Sequence, residues 1–273
     1  MRFQSGVPES GAAPTLDELI ERARTEASGP LHLQSWDLQG QTLVGSELRG
    51  ADLRGANLHG ARLERLQLGN ANLAGADLSA ARLILCGLEG ADLTGANLRG
   101  AHLASCDLTL ACLDGSNLRG ARLNQVTLVE SSCRRASFHS AELWGCNFQG
   151  ADLSEASFAR AKPDGSRFEK TKLEGVRRVI YSRELVAEIF ARHAGDDILR
   201  LSVAGTVRMA WGYCWDALKI HLQQDFPELY RWCLEVAELY PASGMDRALA
   251  QEIDDRQLLH EVLAEDAEQE QQS

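Results

Sequence analysis

The side chains best suited to metal binding, thiol chemistry or nucleophilic attack are seven cysteines and seven histidines. The cysteines stand at 86, 106, 112, 133, 146, 214 and 233, an odd number with no C-x-x-C pair. They read as reduced thiols and not as a disulfide framework or a zinc site. Cys86, Cys106 and Cys146 are separated by multiples of 20, so a structure repeating every 20 residues would stack them. Stacked thiols suggest a metal, but Leu88 and Leu108 stand beside the first two and no histidine accompanies them, which favours small interior filler. Cys112 and His32 share one outward row four coils apart, and the histidines form no ligand-spaced set. The chain has no nucleophile elbow, phosphate loop, H-E-x-x-H or dinucleotide fingerprint. An enzyme and a cofactor are therefore not expected; a catalytic helical unit would need His193, His221 or Asp216 to converge on a pocket.

The spacing of 20 has a shorter period inside it. Residues 51–63 read ADLRGANLHGARL, and stepping by five from Leu53 the register holds from Leu33 to Leu173 without insertion, giving 29 centres. Leucine occupies 23 of them and phenylalanine four (138, 148, 158 and 168), with Cys133 and Pro163 the exceptions. Two positions before the centre the residue is small or Val at 25 of 29, with Leu31, Trp36, Gln41 and Leu66 the large ones. Helices repeat their apolar positions every 3.6 residues and strands every 2, so a period of five fits neither. One large and one tiny inward residue per five implies a flat side followed by a corner. Four sides close a square coil of 20 residues whose backbone pairs with the coils above and below as in a parallel sheet. The residue following the centre then lies at or near the corner, where glycine is favoured.

This pattern resembles the pentapeptide-repeat family, whose motif is A(D/N)LXX, over residues 31–175. The resemblance implies a right-handed quadrilateral parallel β-helix of about seven coils, with centre and centre-minus-two side chains inside. A leucine-rich repeat has a longer internal pattern and a period of about 20–29. At about 4.8 Å per coil the rod would be about 35 Å long. The fold class is mainly β with α, in four segments: 1–30, a flexible N-terminus with a capping helix; 31–175, the β-helix; 176–264, a helical domain; and 265–273, a disordered tail.

The capping helix is read from PTLDELIERARTEASG at 14–29, where Thr15 and Glu18 form a capping box. After Gly175 the spacing becomes helical: Leu185, Ile189, Phe190 and His193; then Trp211, Cys214, Trp215, Leu218 and Leu222; then Leu229, Cys233, Val236 and Tyr240 after Pro227; then Leu249, Ile253, Leu259 and Val262. Trp211, Trp215 and Trp232 are candidates for dimerisation or docking, although a compact aromatic core is the simpler reading. In the topoisomerase-protecting branch of the family a C-terminal helical element pairs two rods, so the resemblance makes a homodimer an expectation.

Residues 20 apart stack, so each outward position becomes a ladder. Before the centres 43 to 163 stand Thr42, Arg62, Arg82, His102, Arg122, Glu142 and Lys162, a basic stripe interrupted once. Ile84, Leu85, Leu110, Val129 and Trp144 project apolar groups where the motif favours Ser, Thr, Arg or Gly, on two adjacent sides. Together with Arg62, Arg82 and Arg122 they are the candidate partner-binding residues. The Asp/Asn ladders, Asp52, Asn72, Asp92 and Asp152 on one side and Asp37, Asn57, Asp77, Asn97 and Asn117 on the next, are read as structural, bonding nearby backbone.

The formal charge of −11 lies mainly after residue 175, with the repeats near neutral. A soluble cytoplasmic protein is expected, without a membrane span or direct nucleic-acid binding. The preferred function is a non-enzymatic scaffold for a protein partner. The alternative is a topoisomerase-protecting protein that engages DNA gyrase or topoisomerase IV, or imitates DNA, and confers resistance to a poison. That role calls for a strongly acidic rod or projecting loops, which this sequence lacks.

Overall fold

A computed structural model describes residues 31–179, 183–209 and 222–243, with Met245 and Leu249. The capping helix at 14–29, Trp211 and Trp215, and the acidic tail lie outside the described residues.

The period of five becomes a four-sided parallel β-helix. Side 1 carries three-residue strands in register steps of 20: β1 (Thr42–Val44), β2 (Arg62–Glu64), β3 (Arg82–Ile84), β4 (His102–Ala104), β5 (Arg122–Asn124) and β6 (Glu142–Trp144). They form one six-stranded sheet in sequence order. Sides 2, 3 and 4, centred on residues 48, 53 and 58 and their successors, pair through single bridges from His32–Asp52 to Ser157–Arg177. The named sheet has slightly fewer rungs than the expected seven coils, and the bridges continue the pairing beyond it in both directions.

Every centre described as apolar is buried, from Leu33 to Leu173, and the alanines two positions earlier are almost wholly enclosed. The first coil departs from this rule: Trp36 is half-buried and Gln41 is exposed. Their bulk exceeds the methyl-sized slot that alanine fills in later coils, and neither is wholly enclosed, although Trp36 still packs against the core. In the upper coils the phenylalanines stack through the lumen, Phe138 on Phe158 at 4.8 Å and Phe148 on Phe168 at 5.0 Å between ring centroids. Pro163 stands at the top rung of side 1, where the centre N–H one coil below, that of Leu143, donates to Lys162 O. A proline has no N–H to leave unpaired at that edge.

Three of the four corners close with a β-turn bond, for example Ala51 N to Leu48 O (3.1 Å), Ala56 N to Leu53 O (3.0 Å) and Ala61 N to Leu58 O (3.0 Å). The apex, two positions after each centre, has positive φ throughout residues 35–175, whether it is glycine or not. Leu85 (φ 56°) and Leu110 (φ 59°) stand at such apices.

After the last coil the described residues include three helices, α1 (Arg183–Ala194), α2 (Ile198–Met209) and α3 (Pro227–Glu238), and a short 3₁₀ turn at Pro241–Ser243. The helical spacing foretold α1 and α3, including Pro227 in the first turn of α3; α2 was not separately distinguished. Leu185, Val186, Ile189 and Phe190 of α1 are fully buried, and Arg192 joins that helix to the rod. Its guanidinium donates to the carbonyls of Thr171 and Phe168, to Thr171 Oγ1 (2.7 Å) and to Glu188 (3.0 Å). The bonds satisfy carbonyls that no further coil covers.

Candidate functional site

The stacked cysteines Cys86, Cys106 and Cys146 occupy the interior at the corner between sides 1 and 2. Below its top rung, where Ser166 N donates to Pro163 O at 2.9 Å, that corner lacks the β-turn bond of the other three, and its inward row is bulkier: Leu66, Cys86, Cys106, Val126, Cys146 and, at the top, Ser166. Each thiol donates to the leucine carbonyl one coil below: Cys86 to Leu63 (3.3 Å), Cys106 to Leu83 (3.4 Å) and Cys146 to Leu123 (3.4 Å). Ser166 does the same to Leu143 at 2.7 Å. A small side chain with a donor suits this row. Burial pushes the Cys133 thiol up to about 12 and the Cys146 thiol up to about 11, so neither supplies a thiolate near neutral pH. Among the described residues no group of three or more His, Cys, Asp or Glu could hold a metal ion.

The Asp/Asn ladders brace their own turns. Each side-chain oxygen accepts from the backbone N–H two residues on: Asn72 from Ala74 (3.0 Å), Asp77 from Ser79 (3.0 Å), Asp92 from Thr94 (2.9 Å) and Asp152 from Ser154 (3.0 Å). The Arg54 guanidinium, 2.6 Å from Asp52, holds that carboxyl well below the usual carboxylate range. Burial pushes Asp77 up, but the bonds from Ser79 outweigh it and the net shift is downward.

The outward rows are the remaining variable. Arg62, Arg82, His102 and Arg122 do stack, through the register Arg62–Arg82–His102–Arg122. Arg62 pairs with Glu64, and Arg122 with Glu142 at 3.3 Å. Arg82 is exposed and forms no ion pair among the described residues. The apolar candidates do not adjoin this row. Ile84 and Trp144 lie at the opposite edge of side 1, in the row Val44–Glu64–Ile84–Ala104–Asn124–Trp144. Leu85 is the next apex, and Val129 and Leu110 follow on side 2 and its far corner. Leu110 N donates to Val129 O at 2.9 Å, which brings those two rungs into direct contact.

Exposure separates the candidates further. Leu110 is 62%, Trp144 58% and Leu85 50% exposed, whereas Ile84 and Val129 are half-buried. The structure thus divides the predicted surface into a basic edge and an apolar edge. Trp232 is buried, with Phe190 at 5.6 Å between ring centroids and the Arg200 guanidinium 5.3 Å from its ring centroid. Sequence reasoning missed Arg99 and Arg119, which face the Arg82–Arg122 row across the corner between sides 4 and 1. Their signal was present in LRGAHL and LRGARL, where two basic residues flank a corner glycine.

A sequence profile of the family described as pentapeptide repeats matches residues 37–65, 63–100, 86–125, 116–154 and 131–175. Among solved structures, full-length QnrB1, a plasmid-mediated fluoroquinolone resistance protein, is 23% identical over 50% of this chain and 76% of its own, with a TM-score of 0.35. HetL, a pentapeptide-repeat protein involved in heterocyst differentiation regulation from the cyanobacterium Nostoc sp. strain PCC 7120, is 24% identical over 62% of this chain and 98% of its own, with a TM-score of 0.24. No curated protein matches the chain.

Proposed function

The chain belongs to the pentapeptide-repeat family, and we propose that it is a non-enzymatic scaffold whose rod presents ordered side-chain rows to a protein partner. The observation that carries this reading is leucine at two left-handed apices, Leu85 and Leu110. A left-handed conformation costs a residue with a Cβ about 1–2 kcal/mol, and exposing leucine gains nothing for the isolated fold. Fifteen of the 29 apices in the repeat region use glycine instead. Two exposed leucines held there at a conformational cost are better explained by a contact outside the chain. Trp144 extends the same apolar edge.

In this proposal the four segments divide the labour: the segment 1–30 caps the first coil, 31–175 recognises the partner, 176–264 caps the far end and pairs two rods, and 265–273 remains outside the fold. The charge of the rod does not support DNA imitation, because its most strongly charged corner is basic. The test is co-purification of partners on wild type and on Leu85→Gly/Leu110→Gly and Trp144→Ala variants that melt like wild type. Loss of a partner from the variants supports the reading, and unchanged recovery removes the apolar edge from it. A gyrase supercoiling assay with a topoisomerase poison tests the protective role separately.

A further inference from the structure

The outward charges of the rod are segregated by corner, although the net charge of the repeats is near zero. The corner between sides 4 and 1 carries seven Lys and Arg residues against one carboxylate. The other corners carry two against four, three against six and four against five. On the side 4 edge stand His59, Arg99, Arg119 and His139; across the apex stand Arg62, Arg82, His102, Arg122 and Lys162, and Arg160 occupies the apex of the top rung. Glu142 is the single carboxylate, paired with Arg122 at 3.3 Å and Lys162 at 3.9 Å. Arg82 and Arg99 are exposed and pair with no carboxylate among the described residues.

The apex between the two rows is nearly bare. Gly60, Gly100 and Gly120 have positive φ, and a Cβ built on any of them would meet nothing within 4 Å. Ala80 completes the line at φ 55°. A ligand backbone can therefore run along the apex while its side chains reach the guanidinium groups on either hand. The strip is narrow, because Asp37 and Asp77 lie beyond it on side 4 and Glu64 lies beyond it on side 1.

We infer that this corner docks an acidic, extended polypeptide segment of a partner protein. The coils rise about 4.8 Å each, so the arginine-rich rungs from Arg62 to Arg122 span about 14 Å, and alternate side chains of an extended strand recur about every 6.7 Å. Three same-side carboxylates fit that length, with guanidinium groups available for bidentate contact. Duplex DNA is too wide, since its outer phosphates would face the flanking carboxylates. Among the described residues no exposed Phe, Tyr or Trp flanks this corner, so a single strand would find only histidine and arginine planes to stack on. The inference takes from the scaffold reading only that the ligand is protein; it uses a different corner from Leu85 and Leu110, so either can fail without the other.

The probe is a fluorescent peptide of alternating Glu and Thr, about a dozen residues long, followed by anisotropy with the full chain at low and high salt. Saturable binding that salt weakens is expected. Arg82→Glu/Arg99→Glu should reduce affinity at least about tenfold and Arg82→Gln/Arg99→Gln should act in the same direction, while Arg65→Glu/Arg134→Glu, equal in net charge to the first variant, should change it less than about threefold. No binding at low salt, or an equal loss in the two Glu variants, overturns the corner as a site. A single-stranded oligonucleotide binding there more tightly than the peptide overturns the polypeptide assignment. If Glu265→Gln/Asp266→Asn/Glu268→Gln/Glu270→Gln raises peptide affinity more than about tenfold, the occupant is the chain's own acidic segment, and the separate partner falls.

Discussion

Replacing Leu110 by glycine removes a whole leucine side chain and should nevertheless leave stability within about 1 kcal/mol of wild type. The apex has φ 59°, so relief of the left-handed conformation returns about 1–2 kcal/mol. Against this, glycine adds about 0.5–1 kcal/mol of unfolded-chain entropy cost. Leu110 is 62% exposed, so only about a third of a full leucine burial is lost, about 0.6–1.1 kcal/mol. The opposing contributions nearly cancel. Leu108, two residues earlier in the same coil and 1% exposed, provides the contrast: Leu108→Ala should cost about 2–5 kcal/mol. Urea unfolding followed by circular dichroism measures both, with a constant m-value as the check on two-state behaviour. A loss of 2 kcal/mol or more in Leu110→Gly would show that the leucine packs against its own chain. The case for an externally directed apolar edge would then collapse at this residue.

Three further outcomes are expected. Arg192→Ala should destabilise the junction of α1 with the last coil by about 2–4 kcal/mol in chemical denaturation, because it removes both the guanidinium paired with Glu188, whose side chain is 10% exposed, and the bonds to Thr171 and Phe168. Adding Glu188→Gln should recover part of that loss; no recovery would mean that Arg192 acts only through the Thr171 and Phe168 carbonyls. Of the six described cysteines only Cys112 is not buried, so Cys112→Ser should lower the fast-reacting thiol count of the native protein by one, whereas Cys146→Ser should not change it. Acid should destabilise the rod: Asp52, Asp77, Asp152 and Glu155 have folded pKa values below their ordinary ones. Their contribution is complete above the unfolded values near 4 and is lost as pH falls through the lower folded values. The urea midpoint should therefore hold from about pH 7 to about pH 5 and decline below about pH 4. A midpoint that rises on acidification would contradict the sign.

The interior was legible because each coil imposes the same two demands, a large centre and a tiny neighbour, and the sequence repeats its answers every five residues. Leu53 and Ala56 could therefore be placed inside from their spacing alone. The corner between sides 1 and 2 was less legible, since its missing turn bond is a property of backbone geometry. Only the bulkier row of Leu66, Cys86, Cys106 and Val126 hinted at it. The outward rows were legible as ladders and not as surfaces. Arg82 and Trp144 share side 1, yet they stand at its two edges and turn toward different corners. Arg99 was overlooked because it belongs to the preceding side, and a side-by-side reading separates residues that a corner brings together.

Such a rod acquires a specific surface at its corners. The inward positions are constrained in every coil, so recognition must be built from the outward positions and apices. A row of one residue type along a side is limited by the Asp and Asn groups that brace the turns, as at Asn72 and Asp92. A corner is freer, since its three outward positions come from two consecutive repeats and can change independently. The repeats here use that freedom in opposite ways at different corners: bare glycine between basic rows at Gly100 and Gly120, and strained leucine at Leu85 and Leu110. Neither arrangement improves burial of the core. Both therefore direct attention to what meets the rod from outside, and to the corner as the unit by which it would be recognised.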